Sequence, residues 1–103
     1  MPWQPAKAAA FVSDQLARFP SDGQLHLLAA RSYGALGKEL LAHRHQAEYY
    51  AWQGNLTAAV VQFDLAAKAK DGDFYQKSVA ESRLREVRQE LNEQKKRALD
   101  ARG

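Results

Sequence analysis

The chain has 103 residues, 46% of them hydrophobic and 26% charged, enough for one domain with a modest core. It contains no cysteine, which excludes disulfides and thiolate metal sites. Fifteen basic against twelve acidic residues leave a net charge of +3, and Glu81, Glu86, Glu90, Glu93 and Asp100 interrupt the basic C-terminal third, so no nucleic-acid-binding face is expected.

The opening Met1-Pro2-Trp3-Gln4-Pro5 has no basic stretch ahead of an apolar run, so it does not read as a secretory signal. No run of about 18 apolar residues appears, so membrane insertion is not expected and the chain reads as soluble. Alanine, leucine, glutamine, arginine and glutamate dominate, and β-branched residues never alternate with polar ones over a strand's length. The expectation is an all-α fold.

The helix breakers are regularly placed. Pro20, Gly37, Gly54 and Asp71 follow one another at steps of 17 residues. A helix of about 14 residues plus a short turn fills each interval, which predicts successive antiparallel helices at roughly 5–19, 24–36, 38–53, 56–70 and 73–97. Ser21, Asn55 and Asp73 stand where a helix N-cap is wanted, and the glycines suit the left-handed position past a helix end. Residues 98–103 are expected to fray.

Side chains repeat at the same step. Ala30, Tyr33, Gly37 and Ala42 recur as Ala47, Tyr50, Gly54 and Ala59. Small residues let helix backbones approach, the tyrosine fills the gap between layers, and glycine makes the turn. Twice 17 is 34, the period of the tetratricopeptide repeat. The fold expected is therefore a single domain of stacked antiparallel hairpins forming a tetratricopeptide-like right-handed superhelix, closed by a long C-terminal capping helix. In that helix Ala80, Leu84, Val87 and Leu91 make a narrow apolar stripe, a candidate for weak homodimerisation, and Glu81–Arg85 and Glu93–Arg97 are spaced as i,i+4 ion pairs.

The best repeat runs from Leu40 to Asp71, with Ala47 and Tyr50 on its first helix, Gly54 at the turn, and Ala59, Phe63 and Ala66 on its second. It departs from the tetratricopeptide pattern at His43, Gln46 and Asp71, where a large apolar residue, leucine and proline are usual. A narrower resemblance covers about half the chain. His43-Arg44, Ala47-Glu48-Tyr49-Tyr50, Gln53-Gly54-Asn55-Leu56, Ala59, Gly72-Asp73-Phe74-Tyr75 and Arg83-Leu84-Arg85 resemble the C-terminal tail of periplasmic zinc metalloproteases of the BepA (YfgC) type. The resemblance implies a periplasmic tail cut from its parent, packed on the protease domain of that parent chain and contacting the outer-membrane assembly machinery and its clients. Zinc is then expected only in the absent protease domain.

This chain itself carries no catalytic signature. His-Glu-x-x-His is absent, and His43 and His45 are two apart, so on one helix they diverge and cannot share an ion. No serine lies in a Gly-x-Ser-x-Gly context, and the glycines make no phosphate-cradling loop. No enzyme, no metal and no cofactor is expected in this chain. What remains is binding of a protein or peptide partner. If residues 38–53 are the first helix of a repeat, Leu41, Arg44, Glu48 and Trp52 face the concave groove. Two competing readings stand beside this: Trp52 packs between helices, and Arg44 and Glu48, four residues apart, neutralise each other. Trp3 and Tyr75 are further exposed-aromatic candidates for the partner surface, with packing on neighbouring helices the favoured alternative. The repeat at 17 also leaves open which helices are first and which second. A stand-alone cytoplasmic tetratricopeptide adaptor is the rival to the protease tail.

Overall fold

A computed structural model describes residues 2–103. Five helices follow in chain order: α1 (Pro5–Arg18), α2 (Gly23–Ala35), α3 (Glu39–Trp52), α4 (Leu56–Lys68) and α5 (Phe74–Arg102). Each packs against the next, and α3 also packs against α5. The described residues contain no strand. The architecture is an all-α stack of helical hairpins ending in a long helix.

The glycine turns explain the repeating tyrosines. Gly37 and Gly54 have φ of 72° and 80°, the left-handed region that favours glycine. After α2, Lys38 N–H donates to the Tyr33 carbonyl (2.9 Å) and Gly37 N–H to that of Gly34 (3.1 Å). After α3, Asn55 N–H donates to Tyr50 (2.9 Å) and Gly54 N–H to Ala51 (3.0 Å). Both ends are Schellman motifs, each satisfying two carbonyls that the helix itself leaves open. The same local chemistry at the same 17-residue step produces two copies of one turn.

The helix starts differ from one another. Asn55 caps α4 through Ala58 N–H (3.1 Å), and Asp73 caps α5 in a reciprocal box with Gln76. Ser21, expected as the cap of α2, is displaced by Asp22, whose carboxylate accepts from Gln24 and Leu25 N–H (2.9 and 3.2 Å). The cap of α3 comes from a distance. Lys38 offers no capping side chain, and Asp71 accepts from Glu39 N–H (2.8 Å) and Leu40 N–H (2.9 Å) instead. The departure from the repeat pattern at Asp71 thus ties the α4–α5 loop to the start of α3.

The largest core cluster joins α3, α4 and α5: Ala47, Leu56, Ala59, Phe63, Leu84 and Val87 are buried together, with Leu91 packed on them. Leu40, Ala66 and Ala80 form a second cluster beside it. The stripe Ala80, Leu84, Val87 and Leu91 is therefore taken up inside its own chain, which removes the feature on which homodimerisation was expected. The last helix runs to Arg102, well past the expected end at 97, and residues beyond Leu91 are exposed. Neither Glu81–Arg85 nor Glu93–Arg97 forms among the ion pairs of the described residues, where Arg83 pairs with Glu48 and Glu86 and Asp64 with Lys68 and Arg88.

Candidate binding groove at the turn between the first two helices

A groove of about 420 Å³ opens between the α1–α2 turn, α3 and α5, lined by Pro20, Ser21, His26, Glu48, Ala51, Trp52, Arg83 and Glu90. Two of the four expected groove residues, Glu48 and Trp52, lie on it. The other two do not. Leu41 lines a separate recess at the opposite end of α3 with Lys38, Leu40, Asp71, Gly72 and Gln76. Arg44 is half-buried beside His45, outside the groove lining.

Trp52 both lines this groove and packs against a neighbouring helix. It is 53% exposed, yet one part of its indole lies flat on the backbone of Gly23. A Cβ at residue 23 would meet the indole Cδ2 at 2.0 Å, so glycine at the start of α2 makes the seat. Tyr49 stacks against the indole at 6.2 Å between ring centres. The indole also borders a second recess with Phe19, Pro20, Ser21, Asp22 and Gln24. It stands as a wall between two hollows.

Glu48 does not neutralise Arg44. Its carboxylate accepts two bonds from Arg83 of α5, Nε to Oε2 (3.0 Å) and Nη2 to Oε1 (2.8 Å). Arg83 Nη1 donates to Glu86 (2.7 Å), and the guanidinium lies 5.4 Å from the centre of the Phe63 ring. These Glu48 hydrogen bonds outweigh the effect of burial and hold the Arg83 pKa above its usual value. The pair is a strut behind the groove, with every guanidinium nitrogen committed.

Arg44 ends a buried hydrogen-bonded chain. Its Nη2 lies 3.3 Å from His45 Nε2, His45 Nδ1 lies 3.0 Å from His26 Nδ1, and His26 Nε2 lies 2.8 Å from the Pro20 carbonyl. The ends set the direction, because a guanidinium only donates and a carbonyl only accepts. Arg44 donates to His45, His45 Nδ1–H to His26, and His26 Nε2–H to Pro20, one proton on each ring. Tyr33 stacks on the His45 ring at 5.6 Å between centres. Burial, with the Arg44 charge and His26 adding to it, pushes the His45 pKa down to about 3. Arg44 Nε is buried without a partner.

The histidine pair leaves one trace in the sequence, in its spacing. His26 and His43 are 17 residues apart, as are His45 and Gln62, and His43 Nδ1–H donates to Gln62 Oε1 at 2.8 Å. One polar contact is thus built twice, across α2–α3 and across α3–α4. Arg83 and Glu90 gave no such signal, since only the docking of α5 brings them to the groove.

The other aromatics are more open than expected. Tyr75 is 74% exposed instead of packed, and Trp3, at 55%, borders a shallow apolar recess with Phe11 and Leu28. Among the described residues no group of three or more His, Cys, Asp or Glu is placed to hold a metal ion, and no helix is long and apolar enough to cross a membrane. Comparison with protein-family models, with curated proteins and with solved structures finds no match for the chain.

Proposed function

We propose that this chain is a non-catalytic protein–protein interaction module that holds a peptide segment of its partner in the groove at Trp52. The observation that carries the reading is the seating of Trp52: a large aromatic surface, half-exposed, immobilised on Gly23 at the wall of a groove. Rigid aromatic area offered to solvent is what binding hot spots are made of, because little conformational entropy is lost when a partner covers it. The Glu48–Arg83 strut keeps α3 and α5 at fixed separation behind it.

A library of random displayed peptides panned on the immobilised chain tests this. Binders are expected, and Trp52→Ala is expected to weaken them at least tenfold while the circular dichroism stays helical. Binders indifferent to Trp52 would move the partner surface elsewhere, and a panning without binders would remove the reading.

The resemblance seen in the sequence supplies the setting we propose: the tetratricopeptide tail of a BepA-type periplasmic zinc metalloprotease active in outer-membrane protein assembly and quality control. In that setting the protease domain of the parent chain and the assembly machinery are partners. The reading frame upstream of Met1 is then expected to encode His-Glu-x-x-His. A frame without it removes the protease setting and leaves the interaction module standing.

A further inference from the structure

We infer that the Trp52 groove takes a partner segment presenting an arginine side chain, a conclusion that rests on the groove being a peptide site. The chain carries a net charge of +3, yet its groove has the opposite balance. The lining holds two carboxylates, Glu48 and Glu90, against the single guanidinium of Arg83. That guanidinium is bonded through all three nitrogens to the carboxylates of Glu48 and Glu86, so its charge is already offset before an incoming anion could use it. Glu90 has no cationic partner within 4 Å among the described residues. On the other side of the indole, the second recess adds the carboxylate of Asp22.

An exposed indole bounded by carboxylates fits a flat cation. A guanidinium stacks on an indole face through cation–π attraction and, in the same pose, donates its planar fork to a carboxylate. An ammonium meets the charge and is also drawn to the ring face, but it has neither the flat surface nor the planar fork that engages indole and carboxylate together. An acidic segment meets Glu90 and Asp22, while the one guanidinium of the groove lining is already paired with Glu48 and Glu86. The groove therefore ranks ligands as arginine over lysine over neutral, with acidic last.

The test uses the full chain with Trp3→Phe, so that Trp52 is the only tryptophan and reports its own occupancy by fluorescence. Four capped pentapeptides, Ala-Ala-X-Ala-Ala with X as arginine, lysine, citrulline or glutamate, are titrated at low ionic strength. Citrulline keeps the shape of arginine and removes the charge. Arginine is expected to bind about five- to tenfold tighter than citrulline, and Glu90→Gln, on an exposed helix face, to cut that ratio by about half or more. Equal binding of arginine and citrulline, or a ratio unmoved by Glu90→Gln, overturns the arginine assignment while leaving Trp52 a peptide site. No change in Trp52 fluorescence with any peptide, together with a panning that yields no Trp52-dependent binder, overturns both.

Discussion

The seam between α2 and α3 and the seam between α4 and α5 are products of one 17-residue step, yet they are closed by opposite chemistry. Across α2–α3 the buried contact is His45 on His26, stacked at 5.2 Å and hydrogen-bonded from Arg44 to Pro20. Towards α5 the chain buries Phe63, Leu84 and Val87 instead. An apolar seam gains with every methylene removed from water and tolerates small errors of direction. A buried imidazole pair contributes little net energy when complete and is costly when any member is lost, because each remaining polar atom is then stranded. The C-terminal seam thus supplies stability, while the N-terminal seam sets register and keeps the α1–α2 turn, with Pro20 and Ser21, at the groove.

Phe63→Ala is the largest blow to the apolar side. Phe63 is fully buried, and its removal is expected to cost about 3–5 kcal/mol, read as a lower denaturation midpoint. The polar side is broken by acid. Burial holds the folded pKa of His45 at about 3 against the ordinary 6.5 of an exposed imidazole, so between those values the unfolded chain binds the extra proton. Stability is unaffected by this group above pH 6.5 and falls as pH drops towards 3, by several kcal/mol at the limit. Denaturant titrations across that window should show a steeper pH slope for the natural chain than for His45→Gln. Coincident slopes would mean that His45 is not held neutral.

Asp71→Ala removes the cap of α3 and is expected to cost about 1 kcal/mol, with faster amide exchange at Glu39 and Leu40 as its local signature. Gly23→Ala acts on the seat itself, because its Cβ would lie 2.0 Å from Cδ2 and 2.4 Å from Cγ of the indole, a clash that helix propensity does not offset. Its expected sign is spectral. Trp52 must leave its seat, so its emission shifts to the red and peptide affinity falls, with the denaturation midpoint as the lesser readout.

Much of this fold was legible because its punctuation is local. A glycine at +72° and a tyrosine carbonyl four residues earlier form a Schellman turn from contacts within six residues, and the pattern shows wherever the sequence repeats it. The groove was only half legible. Trp52 and Glu48 could be placed on one face of α3 from helical spacing, but Arg44, on the same expected face, turned to His45. Spacing within a helix says which residues share a side; it does not say which neighbour each one finds. The partner of Glu48 lies 35 residues away on α5, and no i,i+4 rule points to it.

By itself the sequence determined the helical class, the number of helices and the positions of their turns, since propensity, capping and glycine geometry act over a few residues. Tertiary structure alone decided which carboxylate capped α3, which cation Glu48 received, and that Gly23 became the seat of an indole. Those are meetings between residues far apart in the chain, and only the packing of the helices brings such groups within hydrogen-bonding or van der Waals range.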